Sequence, residues 1–151
     1  MSDPTPAKGE VRINHVFDAP REAVFAAWTE PEQVARWWAP DGFEIPPESV
    51  EIEPRVGGRF HLTMVESAGS GRFPYRAEVV EISEPELIVL KAEAIPDAGI
   101  EETVTRVVLH AEGGRTRMIL TSGLYTEEMR GNAEAGWLQG IESLERILAS
   151  A

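Results

Sequence analysis

Residues 126–148 read TEEMRGNAEAGWLQGIESLERIL, and this stretch decides the fold. Met129, Ala133, Trp137, Ile141, Leu144 and Leu148 recur at steps of three or four, the spacing that stacks side chains on one face of an α-helix. Glu127, Glu128, Arg130, Glu134, Glu142, Glu145 and Arg146 lie away from that stripe. Thr126 offers an N-cap oxygen, and the two glutamates after it suit the positive end of the helix dipole. The pattern predicts a long amphipathic helix with one apolar face and a solvated acidic back. Gly131, Gly136 and Gly140 each cost about 1 kcal/mol against alanine. Such residues are tolerated where a sheet or a bound molecule comes close to the helix.

A helix of this kind needs an apolar surface to lie on, and the preceding tract supplies one. Val50 and Ile52 alternate with Glu51 and Glu53 until Gly57-Gly58 breaks the run. Phe60, Leu62 and Met64 alternate with Arg59, His61 and Thr63; Ala68-Gly69-Ser70-Gly71 then reads as a hairpin loop. Tyr75, Ala77 and Val79 alternate with Arg76 and Glu78, and Pro85 ends that segment. Residues 87–93 form a further strand, followed by a turn at Pro96-Asp97-Ala98-Gly99. Residues 103–110 and 116–122 flank Glu112-Gly113-Gly114, a hairpin signal. Connections this short imply an antiparallel meander.

Toward the N-terminus, residues 10–17 alternate as a half-buried strand. Asp18-Ala19-Pro20 predicts a helix start with an acceptor side chain, carrying Ala23, Val24, Ala27 and Trp28 at helical spacing. Thr29 and Glu32 are spaced as a capping box for a second helix with Val34, Trp37 and Trp38, stopping near Pro40-Asp41-Gly42. The expected architecture is α+β: a bent antiparallel sheet of about seven strands around a long C-terminal helix, with two short helices after the first strand. Residues 1–9 read as a flexible arm and residues 10–151 as one domain. Space between a strongly bent sheet and its covering helix is the expected pocket.

The 151 residues, 42% hydrophobic and 26% charged, suffice for one core without metal or disulfide. Fourteen basic residues against 26 acidic ones give a net charge of −12, which repels phosphate backbones and anionic lipid. Neither nucleic acid nor membrane is an expected partner. The absence of cysteine removes thiolate nucleophiles, disulfides and cysteine zinc sites. Residues 1–9 lack the basic start and apolar run of a signal peptide, and no apolar stretch approaches the ~18 residues of a membrane span. A cytoplasmic location is expected.

Four motifs carry a family resemblance. Asp18-Ala19-Pro20-Arg21-Glu22-Ala23-Val24-Phe25-Ala26-Ala27-Trp28-Thr29-Glu30-Pro31, followed by Trp37-Trp38, resembles the opening of the SRPBCC superfamily. Glu53-Pro54-Arg55-Val56-Gly57-Gly58-Arg59-Phe60 is similar to the acid-x-Arg-x-Gly-Gly motif of the branch named for the activator of heat-shock-protein-ninety ATPase homologue. Glu81-Ile82-Ser83-Glu84-Pro85-Glu86-Leu87, and Gly136-Trp137-Leu138 followed by Leu144, resemble its later signatures. The resemblance implies a helix-grip fold around a hydrophobic cavity. Its members bind lipids, hormones or polyketides, or act as cyclases, so the chemistry stays open. A chaperone partner ranks behind a small molecule, because the co-chaperone that names the branch carries an additional N-terminal domain.

The expected cavity lining comes from the apolar sets. Trp37 and Trp38 sit about 100° apart on a helix, so one indole faces the cavity more readily than both. Phe60, Leu62 and Met64, then Tyr75 and Val79, then Met118 and Leu120 form the inward strand faces; Tyr75 offers its hydroxyl to a ligand. The helix contributes Met129, Ala133, Trp137 and Ile141. His15, His61 and His110 share no metal-ligand spacing, and neither a metal nor another cofactor is expected. Thr121, Ser122 and Ser143 lack a nucleophile elbow. Glu53 with Arg55 reads as a local ion pair steadying the bulge, ahead of an acid–base role.

These observations favour non-catalytic binding of a small hydrophobic or amphipathic molecule between sheet and helix. A cyclase- or hydrolase-like enzyme using Tyr75, Glu53 or a histidine is the first alternative, and a stress-related co-chaperone-like interaction protein the second. The acidic surface leaves room for a symmetric homodimer through an apolar patch.

Overall fold

The computed structural model describes residues 9–96 and 100–149. The arm at residues 1–8 and most of the turn at Pro96-Asp97-Ala98-Gly99 lie outside the described residues.

One antiparallel sheet runs from β1 (Val11–Phe17) through β8 (Arg115–Gly123), β7 (Thr103–Glu112), β6 (Leu87–Ala92), β5 (Arg72–Ser83) and β4 (Arg59–Glu66) to β2 (Phe43–Glu44). The two-residue β3 (Glu51–Ile52) also pairs with β4. Alternation places Val107, Leu109, Met118 and Leu120 on the buried face, in the register Val107↔Leu120 and Leu109↔Met118. The β7–β8 hairpin turns at Gly113 (φ 59°) and Gly114 (φ 87°), the pair of left-handed residues that a tight hairpin requires. The β5–β6 register shifts between Val79 and Glu81, and a shift of this kind bends a strand and increases its twist. The sheet matches the expected one of about seven strands; β2 and β3 are stubs of two residues each, β3 at the Val50–Glu53 alternation and β2 without a period of its own.

Helices α1 (Arg21–Thr29) and α2 (Pro31–Trp37) follow β1, and α3 (Glu127–Ala149) closes the chain. Two capping expectations are corrected. Pro20 and Glu30 occupy the N-cap positions without side-chain hydrogen bonds. Asp18 instead points outward and pairs with Arg115 at 3.7 Å, while the Thr29 hydroxyl donates back to the Phe25 carbonyl at 3.0 Å. Proline pre-sets the backbone at both starts, so the helices begin without the expected caps. Thr126 does cap α3, accepting from the Met129 amide at 3.3 Å.

The 23 residues of α3 cover the concave face of the sheet unequally. Gly140, Ile141 and Leu144 are buried; Met129, Ala133, Gly136 and Trp137 are half-buried. A Cβ at Gly140 would lie 3.3 Å from the Trp37 carbonyl oxygen, so the close neighbour at this glycine is the end of α2, not the sheet. Arg130 Nε donates to the Glu10 carbonyl at 3.0 Å, and His15 Nε2 meets Glu145 Oε1 at 3.1 Å; both tie the helix to the β1 edge. The result is a helix-grip arrangement, tight toward one end of α3 and loose toward the other. Among the described residues no helix is long and apolar enough to cross a membrane.

Candidate functional site

Beneath the loose half of α3 lies a hollow of about 480 Å³, open to solvent, within the usual range for small-molecule sites. Met64, Phe73, Tyr75, Ala92 and Thr103 form its sheet wall; Met129, Asn132, Ala133, Gly136 and Trp137 form its helix wall. Trp38, Pro40 and Phe43 close one side, and Glu93, Ile95, Ile100 and Tyr125 complete the lining. Ile95 and Ile100 bridge each other across the β6–β7 connection.

Aromatic packing shapes the inner end. All four tryptophans form one cluster, with ring centroids 4.7 Å apart for Trp28–Trp37, 5.2 Å for Trp38–Trp137 and 6.1 Å for Trp28–Trp137. Trp38 also meets Phe60 and Tyr75, each at 5.2 Å. Adjacent helix positions diverge, and so Trp38 reaches the hollow while Trp37 turns into the core and donates its Nε1 hydrogen to the Ala27 carbonyl at 2.8 Å.

A polar chain crosses this apolar setting. Thr105 Oγ1 and Ser122 Oγ are 2.8 Å apart, Ser122 Oγ and the Tyr125 hydroxyl 2.8 Å, and Trp137 Nε1 donates to Tyr125 at 3.4 Å. Tyr75 stands beside Thr105 and Tyr125 and is only 8% exposed; its hydroxyl lies near Thr105 without a well-aligned hydrogen bond, and its proton has no acceptor. An unpaired buried hydroxyl costs about 1–3 kcal/mol. Burial, and to a lesser degree the nearby Tyr125, push the Tyr75 pKa well above the ordinary tyrosine value, so this hydroxyl keeps its proton. The sole carboxylate among the described lining residues is Glu93; no histidine, lysine or arginine is present.

Six residues singled out in the sequence line the hollow together: Trp38, Met64, Tyr75, Met129, Ala133 and Trp137. The other seven sit in the packed core away from it: Trp37, Phe60, Leu62, Val79, Met118, Leu120 and Ile141. Phe73 was missed, although it stands two residues before Tyr75 on the same strand face. Thr103 carried a signal as well, being polar at a position in phase with Val107 and Leu109. Tyr125, between strand and helix, and Phe43, on a two-residue strand, belong to no periodic run.

The remaining candidates lie elsewhere. Glu53 accepts from the Arg59 amide at 3.0 Å and from Arg55 at 3.1 Å, outside the hollow. The amide of Arg59, then the charges of Arg55 and Arg59, hold its pKa below the ordinary carboxylate value. His61 borders a separate outer groove with Arg59, Arg76, Glu78 and Lys91, and His110 is exposed on β7. Among the described residues no three histidine, aspartate or glutamate side chains converge as metal ligands.

Residues 18–149 match the family described as activator of Hsp90 ATPase homolog 1-like protein. The chain belongs to this family. Solved structures place the Hsp90-activator-homolog fold over nearly the whole chain. Protein CV1439 from Chromobacterium violaceum is 22% identical, with 93% of this chain and 96% of that one covered and a TM-score of 0.84. The AHSA1 protein SPO3351 from Silicibacter pomeroyi is 23% identical over 93% and 97%, with a TM-score of 0.79. CalU16 from Micromonospora echinospora is 19% identical over 92% and 75%, with a TM-score of 0.68. At these identities the likeness is one of fold. No curated protein is similar enough in sequence to count as a match.

Proposed function

We propose that the protein binds a small apolar or amphipathic molecule in the hollow between the sheet and the first half of α3, without transforming it. The observation that carries this reading is the 480 Å³ space itself, at the meeting of Tyr75 and Trp137, where the same helix packs solidly a few residues later. Family membership supports a ligand-binding fold and leaves the ligand open. Binding without chemistry is favoured because the lining described above brings one carboxylate and no convergent acid–base pair. A macromolecular partner is the weaker reading: among the described residues the large exposed hydrophobics Val56, Val80 and Leu138 lie apart, and only Val104 and Leu124 adjoin, in a groove they share with Glu10, Glu101 and Glu102.

Thermal-shift screening against fatty acids, sterols, flavonoids and polyketide-like aromatics tests the proposal. A ligand at a hundredfold excess over its Kd stabilises the protein by about 2.7 kcal/mol. Ala133→Trp, which fills the helix wall, should retain the far-ultraviolet spectrum and lose the shift. A panel without any shift, or a shift unchanged in Ala133→Trp, would refute it.

A further inference from the structure

The Tyr75 hydroxyl, whose proton has no acceptor, gives this hollow a chemical preference. Along the chain Thr105–Ser122–Tyr125, three hydroxyl protons serve two hydroxyl–hydroxyl bonds, and the Trp137 indole only donates. In every arrangement one hydroxyl proton is left over. Tyr75, only 8% exposed, stands beside Thr105, and a bond between them extends the chain to four hydroxyls with three bonds, so one proton is still left over. One hydroxyl proton more than these bonds can use thus stands at the inner end, and it is the Tyr75 proton when Thr105 donates to the Tyr75 oxygen. The lining offers the converse of an anion site: no cationic side chain among the described residues, the carboxylate of Glu93, and a chain of net charge −12. A carboxylate buried there would accept from a hydroxyl but find no counter-charge, and would face the like charge of Glu93. The flat faces of Trp38, Trp137, Phe43 and Phe73 suit a planar body.

Resting on the binding role above, we propose that the hollow selects an uncharged, flat apolar molecule bearing a carbonyl oxygen, which accepts from Tyr75, and discriminates against the carboxylate of the same shape. An acceptor reaches the buried hydroxyl through a small adjustment of the lining, for which the unbranched Met64 and Met129 are suited.

Three probes of one shape test this: 1-acetylpyrene, 1-ethylpyrene and pyrene-1-carboxylate, titrated at pH 8 and followed by energy transfer from the tryptophan cluster. The ketone should bind about tenfold tighter than the ethyl compound, and the carboxylate should be the weakest of the three. Tyr75→Phe should bring the ketone down to the ethyl compound while leaving the latter unchanged. A measurement on the unaltered protein stands beside the variant: the carbonyl stretch of bound 1-acetylpyrene should move to lower wavenumber, as a hydrogen-bonded ketone does. Equal binding of ketone and ethyl compound, tightest binding of the carboxylate, or an unshifted stretch would overturn the carbonyl preference and leave the binding role standing. Failure of all three probes to accept energy from tryptophan would overturn the binding role itself.

Discussion

Along α3, Met129, Ala133 and Trp137 occupy one half of the apolar stripe and Ile141 and Leu144 the other. The first three border open space over Met64, Phe73 and Tyr75, whereas the last two are enclosed in the core. Both halves share spacing, residue class and helix. What separates them is the surface opposite: the end of α2 meets the helix closely at Gly140, while the nearest atom a Cβ would meet at Gly136 is Pro40 Cβ at 3.9 Å, and at Gly131 nothing lies within 4 Å. An amphipathic stripe therefore specifies which face turns inward, and the opposing element decides whether that face becomes core or wall.

Substitutions in the two halves should break or sharpen this contrast. Leu144→Ala removes a fully buried side chain and should cost about 2–5 kcal/mol in urea unfolding, while Met129→Ala, at the wall, should cost well under half as much. Similar losses would mean that the loose half is packed after all. Gly140→Leu forces side-chain atoms against the Trp37 and Trp38 carbonyls and should lose about 1–3 kcal/mol. Gly131→Ala meets nothing and should gain about 0.5–1 kcal/mol of helix propensity, measured as a raised Tm. Opposite signs at two glycines of one helix would sharpen the comparison most directly.

The smallest effect belongs outside both halves. Glu53, with its pKa depressed by the Arg59 amide and then by Arg55 and Arg59, stabilises the folded state above the unfolded carboxylate range. That contribution is lost as pH falls through the folded-state value. Glu53→Gln should make the acid limb of the stability profile slightly shallower and leave ligand binding unchanged.

Much of the architecture was legible because period and turn chemistry are local. The α3 stripe, its Thr126 cap, the alternation in β4 and β5 and the Gly113–Gly114 hairpin follow from neighbours in sequence. The caps of α1 and α2 were misread because Asp18 and Thr29 have other partners in space. The lining of the hollow was legible in part, for a related reason. Tyr75 and Val79 share one face of β5, yet only Tyr75 borders the hollow, and the register shift after Val79 has no signature in residue type. Loop residues such as Tyr125 enter through the path of the chain, which periodicity does not describe.

The outer side of β4 is taken by two stubs, Phe43–Glu44 and Glu51–Ile52, with Pro46 and Pro47 in the chain between them. A stray strand seeking to extend the sheet there meets an interrupted border instead of a long run of free amides and carbonyls. At the other margin β1 is tethered by Arg130 and His15 to the helix. Polymerisation by strand addition thus finds little purchase along β4, and growth of the sheet from that border should be disfavoured.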